Sequence, residues 1–170
     1  MDFNHLLWTF LISASPIAEL RLALPLAIHE YEIPWYLAFP ICLLGNLLPV
    51  PFLLLLLEPA SRMAGKVRPV RRILDWIFER TRRKGRLVEK YERIGMVILV
   101  AIPLPGSGAW TGSIVAFLLG LKFKSAFVSI VLGVFIAGVI VTALSLIGWL
   151  GGVIAGIGLI ILAAFGLWKI

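Results

Sequence analysis

The chain has 170 residues, of which 61% are hydrophobic, and its mean hydropathy is +1.02. A soluble domain of this size could not bury so much apolar side chain in one core, so lipid must be its solvent. The net charge is +7, but the basic residues concentrate in one segment without interleaved aromatic residues, which argues against a nucleic-acid partner. We therefore predict an all-α integral membrane protein, with residues 1–170 forming a single membrane domain.

Metal, cofactor and enzyme chemistry find little support in the sequence. Cys42 is the only cysteine, and His5 and His29 are too scattered to form a metal site. Neither a nucleophile elbow, a Walker loop nor a pair of catalytic carboxylates is present. We expect no enzyme activity and no cofactor. The N-terminus lacks the basic start of a signal peptide, so residue 1 is expected to belong to the mature protein.

Five apolar blocks follow one another along the chain, at residues 3–28, 33–57, 95–121, 125–149 and 151–168. The segment 59–93, between the second block and the third, holds 12 of the 16 lysines and arginines. Because positive residues stay on the cytoplasmic side of a membrane, this segment is predicted to be cytoplasmic. Its apolar residues recur at helical spacing, which indicates interfacial amphipathic helices. A solvated loop that only sets the topology explains the segment equally well.

Two topologies compete for these blocks. If every block crosses the bilayer, Lys122, Lys124 and Lys169 fall outside, against the positive-inside rule. If the first and third blocks instead enter the membrane and return, the acidic residues near the N-terminus fall outside and all three lysines fall inside. The second topology predicts an outside N-terminus, a cytoplasmic C-terminus, re-entrant hairpins at 3–28 and 95–121, and transmembrane helices at 33–57, 125–149 and 151–168.

Helix-breaking residues interrupt both predicted hairpins near their middles, at SASP (residues 13–16) and PLPGSG (residues 103–108). Proline removes a backbone donor, and glycine raises the entropy cost of staying helical. Because unpaired backbone groups are not tolerated in lipid, both tips are expected to be buried in protein or to line a polar cavity. The hairpins open toward opposite sides, which predicts an inverted repeat. In transporters such repeats place the substrate site near the midplane, where broken helices meet.

Glu19 and Arg21 are the only charged residues deep inside an apolar block. Ionisable groups at that depth are costly and usually face a cavity or a partner. Residues two apart point to different faces of a regular helix, so a mutual ion pair would need a broken or extended backbone. Pro25 has no backbone N–H, so it cannot donate the usual helical hydrogen bond to the carbonyl of Arg21, and it is a further candidate residue of the site. Glu19 is a candidate proton-coupling carboxylate, and Arg21 is a candidate site for an anionic headgroup or the partner of Glu19.

A glycine-rich turn leads into a helix in the second predicted hairpin. Exposed amides and the helix dipole at such an N-terminus can hold an anion, although small residues also let two limbs pack closely. The candidate contacts in this stretch are Pro103, Pro105, Gly106, Ser107, Gly108, Trp110, Thr111 and Gly112.

Two further features lie outside the predicted hairpins. Asn46, just before Pro49 and Pro51, marks an irregular stretch in the block 33–57 and is a further candidate contact for the substrate. Glycines at four-residue spacing favour close helix contact, either within one chain or in a homo-oligomer. These are Gly148, Gly152 and Gly156.

The segments ELRLALPLAI (residues 19–28) and AIPLPGSGAWTGSIVAFLLGLKFKSAF (residues 101–127) resemble the bacterial and archaeal family of small multidrug export proteins. The resemblance covers most of the chain and implies a multi-pass protein of the cell membrane. That family resembles, at a distance, the DedA and VTT superfamily, whose members have two opposed re-entrant hairpins and include undecaprenyl-phosphate flippases and lipid scramblases.

The resemblance also assigns residues. Glu19 matches the acid of the family's first hairpin. DedA proteins typically carry arginines in their second hairpin, and residues 101–121 contain none. Only Arg21 and the backbone amides of residues 106–112 are left to bind a phosphate.

Several functions remain open. The leading hypothesis is a carrier that moves a phosphorylated lipid or similar amphiphile by alternating exposure of a midplane site, coupled to protons through Glu19. A proton-driven exporter of cationic drugs is the first alternative, although Arg21 would repel a cation. A lipid scramblase, or a membrane scaffold whose basic segment recruits partners or anionic lipid, is the second. Membrane lipids and an amphiphilic substrate are the expected partners.

Overall fold

The computed structural model describes residues 2–64, 86–103 and 108–148, with side chains described at 2–57, 93–103 and 108–148. Within these ranges the chain forms seven helices and no strand, which confirms the all-α prediction. The helices are α1 (Phe3–Ala14), α2 (Glu19–His29), α3 (Trp35–Leu47), α4 (Pro49–Ala64), α5 (Arg86–Ala101), α6 (Ala109–Leu118) and α7 (Phe123–Leu146). The predicted helix 151–168, the glycines at 152 and 156, and most of the basic segment lie outside the described residues.

Two helical stretches are long and apolar enough to cross a membrane. The first runs through α3 into α4, over the 23 residues Trp35–Leu57, and the second is the 24-residue helix α7. Their mean hydropathies are 2.2 and 2.7, and at about 1.5 Å per residue each exceeds the roughly 30 Å of a hydrocarbon core. They correspond to the predicted spans 33–57 and 125–149.

Both interrupted blocks begin with a helix that ends two residues before a proline. α1 ends at Ala14, ahead of Pro16, and α5 ends at Ala101, ahead of Pro103. A proline disfavours helical torsions in the residue before it, and Ser15 is accordingly extended, with φ −72° and ψ 148°. With 12, 11 and 10 residues, α1, α2 and α6 are each about 15 to 18 Å long, too short to cross a hydrocarbon core alone.

Packing follows the same order in the two halves of the chain. α1 packs on α3 in the first half, as α5 packs on α7 in the second. Glycines allow both close approaches: a methyl group on Gly45 would lie 2.5 Å from the carbonyl oxygen of Phe10, and one on Gly133 would lie 2.6 Å from the Cβ of Val100. The second helix of each block contacts the other half, because α2 lies against α7 and α6 lies against α4. The two halves therefore interlock through α2 and α6.

A buried core lies between the helices, while their outer faces stay apolar and exposed. Leu20, Leu24, Val100 and Ile130 are among the largest fully buried side chains. Exposed large apolar residues occur on every described helix, as on α7 at Val128, Leu132, Phe135 and Val139. So much exposed apolar surface would promote aggregation in water, whereas it is usual for a helix that faces lipid.

The tip of the first block corrects one expectation. Both tips were predicted to be buried or to line a polar cavity, yet Pro16 is exposed and Ile17 is 89% exposed. The Ser15 hydroxyl satisfies part of this backbone, since it accepts the amide N–H of Ala18 (3.3 Å) and donates to the carbonyl of Ile12 (2.7 Å). The serine thus supplies locally some of the hydrogen bonds that a protein partner was expected to provide.

A glycine-based turn ends α6 and starts α7. Gly120 has a φ of 69°, a left-handed conformation that glycine adopts without steric cost. The amide of Gly120 donates to the carbonyl of Phe117, and the amide of Leu121 donates to the carbonyl of Ala116. These two bonds form a Schellman motif, which satisfies carbonyls at the end of α6 and turns the chain toward α7.

Candidate functional site

A buried ion pair lies at the start of α2. Nη1 of Arg21 donates to Oε2 of Glu19 at 2.6 Å, and the two side chains are only 11% and 4% exposed. Glu19 is the first residue of α2 and has a φ of 49°. This left-handed conformation is uncommon for a residue with a side chain, and such strain often marks a functional site. It is the break in the helix that the pairing of residues two apart was predicted to need.

Arg21 also contacts the end of α5. Its Nη2 donates to the carbonyl oxygen of Val100 at 3.0 Å and to that of Ile102 at 3.1 Å. The last carbonyls of a helix have no partner within that helix and carry partial negative charge, so a guanidinium is favourable there. Arg21 therefore stabilises the point at which the second block stops being helical.

Glu19 contacts the start of α6, on the other side of the same break. Its Oε1 accepts the backbone N–H of Trp110 at 3.3 Å. The N-cap residue of α6 is Gly108, which has no side chain that could cap the helix. The carboxylate of Glu19 thus takes the role of a capping group at a positive helix end. Together the two side chains bridge the interruption between α5 and α6.

Gly108 lies directly against the ion pair. A methyl group at this position would overlap the carboxylate of Glu19 and clash with Nη1 of Arg21. Only glycine lets the backbone of the second block approach the charged groups of the first this closely. Gly112, one turn further along α6, has a different role: a methyl group there would lie 2.7 Å from a methyl of Val100, so this glycine permits helix packing.

Trp110 adds a second contact between the two breaks. Its indole Nε1 donates to the carbonyl oxygen of Ala14, the last residue of α1, at 3.1 Å. The side chain is half-buried. The end of α1, the start of α2, the end of α5 and the start of α6 therefore converge around one buried ion pair.

A narrow crevice extends from the ion pair toward α3 and α7. It spans about 160 Å³ of space between atoms, part of which is open to the surface, and it is too narrow to hold a water molecule. Arg21, Asn46 and Gly108 line it together with Leu20, Val100, Val134 and Ala137. Asn46 is 2% exposed, and its buried Oδ1 has no hydrogen-bond partner in the described part of the chain. The crevice is thus too narrow for water, apolar on most sides and polar at one end.

The predicted site residues divide into three groups. Glu19, Arg21, Gly108 and Trp110 come together at the ion pair, and Asn46 lines the crevice beside it. Away from the ion pair, Pro25 lies inside α2, Pro103 follows the end of α5, Gly112 packs against Val100, and the half-buried side chain of Thr111 makes no hydrogen bond to another described residue. Pro105, Gly106 and Ser107 lie outside the described residues.

Sequence reasoning missed several contributors to this region. The carbonyl oxygens of Val100 and Ile102 had no signal, because every residue carries one. The hydroxyl of Ser13 donates to the carbonyl of Cys42 at 2.6 Å and ties α1 to α3. A serine one turn before a proline break could have been found as a candidate for this contact. In the described part of the chain, no group of three or more His, Cys, Asp or Glu residues could hold a metal ion.

Comparison with known proteins gives a family. Residues 19–140 match the model of the family described as "Putative small multi-drug export protein". This match starts at Glu19, the first residue of α2, includes the second break and ends inside α7. The chain belongs to this family. No curated protein and no solved structure matches it. As a member of the small multi-drug export family with two apolar helices of spanning length, it is a membrane protein whose family name points to export across the membrane.

Proposed function

We propose that this small multi-drug export family member is a carrier that moves an anionic amphiphile, specifically a phosphorylated lipid, from one leaflet of the membrane to the other. One observation carries the proposal: both helix interruptions meet at the buried Glu19–Arg21 pair. A structural protein gains little from a charged pair buried between broken helices, because apolar residues of similar volume are often as stable.

The proposal includes two opposed re-entrant hairpins, α1–α2 and α5–α6, related as an inverted repeat. It is supported by the matching stops before Pro16 and Pro103 and by the parallel packing of α1 on α3 and α5 on α7. In this arrangement the N-terminus is outside, and the basic segment and C-terminus are cytoplasmic. The resemblance to the DedA and VTT superfamily, whose members have such hairpins, agrees with it.

The chemistry of the site favours an anionic headgroup. A guanidinium and the N-terminus of α6 both attract negative charge, and at Gly108 no side chain stands between the backbone and these groups. Arginine is the residue best suited to bind a phosphate with two parallel hydrogen bonds. The apolar walls of the crevice, such as Leu20 and Val134, would contact the first carbons of the lipid chain.

Transport by alternating exposure needs a state in which the site is closed to both sides. The crevice is too narrow to admit water, as such a state requires. Opening toward either leaflet would separate the contacts that hold the two blocks together, foremost the bonds from Arg21 to Val100 and from Trp110 to Ala14. Because these contacts belong to different halves, rocking of one half against the other would break them.

A flipping assay tests the proposal. Purified protein is reconstituted in liposomes that carry a short-chain polyprenyl phosphate in both leaflets, and a phosphatase that cannot cross the membrane is added outside. Wild-type protein should make the inner pool accessible, and Glu19→Gln should change the rate. Glu30→Gln, which removes an exposed carboxylate outside the site, should match the wild type. An inner pool that stays protected in the presence of folded wild-type protein means that the proposal is wrong.

Proton-driven export of cationic drugs is a second candidate, favoured by the family description and by the buried carboxylate of Glu19. In that function the drug and a proton would compete for Glu19. The cation would have to displace Arg21, which already holds the carboxylate at 2.6 Å. Drug resistance that rises on overexpression and is lost in Glu19→Gln would favour this candidate over lipid transport.

A further inference from the structure

The carboxylate of Glu19 makes the contacts that a bound phosphate would make. It accepts a hydrogen bond from Arg21 and another from the amide of Trp110 at the start of α6. These two partners, a guanidinium and a helix N-terminus, are groups that typically bind anionic ligands in proteins. The site described above is therefore an anion site that the protein's own carboxylate occupies.

Asn46 is an independent sign that this region takes up a ligand. Its side chain is almost completely buried and lines the crevice beside Arg21, yet its Oδ1 has no hydrogen-bond partner among the described residues. A buried acceptor without a partner destabilises the protein, because it has lost its hydrogen bonds to water and gained none in return. The amide could accept a hydrogen bond from a ligand hydroxyl or, after rotation of its last torsion angle, donate one to a phosphate oxygen. A headgroup in the crevice would supply the missing partner.

We propose that the anionic headgroup and a proton bind together at this site, because the headgroup replaces the carboxylate of Glu19 at Arg21 and at the start of α6 once Glu19 is protonated. This inference deepens the proposed function and rests on it. Protonation removes the negative charge that holds Arg21 and repels the headgroup. The neutral acid remains buried at lower cost than a displaced carboxylate. Lipid phosphate and proton would then cross the membrane in the same direction.

The surroundings of Glu19 make it the group whose protonation controls the site. Among the described residues, its bonded partners are Arg21, the Trp110 amide and, through its own backbone, Ser15. The helices packed around α2 and the break carry other titratable or charged side chains, and none of them bonds to Glu19: Asp2, His5, Tyr36, Cys42, Arg93, Lys122 and Lys124. A second titrating group in contact with the carboxylate is therefore absent from the described part of the chain.

The sign of the coupling separates this mechanism from cation export. If proton and anion bind together, a lower pH strengthens anion binding, by at most about tenfold per pH unit for one proton. If proton and cation compete for Glu19, a lower pH weakens cation binding by the same factor. Both follow from linkage, because a ligand and a proton that favour the same state strengthen each other's binding.

Calorimetric titration of purified protein in a non-ionic detergent tests the inference. The anionic probe is dihexyl phosphate, a diester that keeps one negative charge between about pH 5 and pH 8, so that its own protonation does not interfere. The cationic probe is decyltrimethylammonium. Wild-type protein should bind dihexyl phosphate more tightly as the pH falls. Glu19→Gln should bind it at every pH about as tightly as the wild type does at low pH, and Asn46→Ala should weaken it several-fold.

The outcomes separate the inference from the function on which it rests. If dihexyl phosphate binds with an affinity independent of pH, or more weakly at low pH, the co-binding of a proton is wrong while anion transport stands. If it binds neither wild-type protein nor Glu19→Gln, and the cation binds instead, the proposed function and the inference both fail. The wild-type titration alone decides the first case, so the test does not depend on the folding of the variant. Glu30→Gln should retain the wild-type pH dependence.

Discussion

Glu19 and Arg21 stabilise each other in a place where either charge alone would be costly. Arg21→Met leaves the carboxylate buried without its cation, and loss of one partner of a buried pair typically costs about 3 to 5 kcal/mol. Glu19→Gln should cost less, because Arg21 keeps the carbonyls of Val100 and Ile102. The double variant should be more stable than Arg21→Met alone.

Thermal unfolding in detergent, followed by tryptophan fluorescence, measures these differences. A double variant as unstable as the sum of the two single variants would contradict direct coupling within the pair, because independent sites give additive effects.

Gly108→Ala tests the close approach of the two blocks. The added methyl group would overlap the carboxylate of Glu19, so the ion pair must move away from the start of α6. We expect transport to fall at least tenfold while the protein still folds, since the displaced atoms are the ends of side chains. Gly95→Ala is the matched control, because a methyl group there meets nothing within 4 Å. Equal transport activity in the two variants would show that the position of the pair is not needed.

At the scale of residues, the sequence predicted the two charged side chains and their possible pairing, but not the backbone groups that Arg21 contacts in the second block. A carboxylate and a guanidinium in an apolar block draw attention because their burial is costly. The conformation of Glu19, with a φ of 49°, follows from the requirement that residues two apart pair within a helix start. The carbonyl acceptors on α5 could not be predicted, because they depend on which helix end lies opposite Arg21.

At the scale of helices, small residues set how closely α1 approaches α3 and how closely α5 approaches α7. Gly45→Ala would place a methyl group 2.5 Å from the backbone oxygen of Phe10, and Gly133→Ala would place one 2.6 Å from Val100. Overpacking of this kind typically costs about 1 to 3 kcal/mol. We expect both variants to unfold at lower temperature than the wild type.

Gly95→Ala again serves as the control, since a methyl group in open space on a helix should be neutral or stabilising. If Gly45→Ala and Gly133→Ala unfold at the temperature of the control, α1 and α5 do not pack as tightly as described. A loss in only one of them would argue against equivalent packing in the two halves.

The ends of the helices were easier to predict from the sequence than the burial of the turns that follow them. Pro16 and Pro103 stop α1 and α5 through local sterics alone, so the sequence sufficed to predict both interruptions. The exposure of Ile17 could not be predicted in the same way. It depends on the hydroxyl of Ser15, which supplies hydrogen bonds within the turn and removes part of the need for burial.

At the scale of the whole molecule, the second helix of each interrupted block, α2 or α6, joins the two halves because it packs against the opposite half. α2 lies against α7 and α6 lies against α4, so each half contacts the long helix of the other. A displacement at the ion pair would therefore act on both long helices. The breaks and charges of the sequence suggested a repeat. The contacts of α2 and α6 with the opposite half could not be predicted, because those between α2 and α7 join residues about 110 positions apart.

The membrane topology provides the last prediction. Single cysteines are placed at Asp2, Glu30 and Lys124, which are all exposed, while the native Cys42 is fully buried and should stay unlabelled. If α1–α2 and α5–α6 are re-entrant hairpins, a maleimide that cannot cross the membrane should label Asp2→Cys and Glu30→Cys on intact cells. It should label Lys124→Cys only after the cells are permeabilised.

If every apolar block instead crosses the bilayer, Asp2→Cys becomes protected and Lys124→Cys becomes accessible, while Glu30→Cys is labelled in either topology and serves as the positive control. The two test positions thus report on one hairpin each. Protection of Asp2→Cys would refute the first hairpin, and labelling of Lys124→Cys on intact cells would refute the second. Either result would remove the inverted repeat, and with it the structural basis for alternating exposure of the Glu19–Arg21 site.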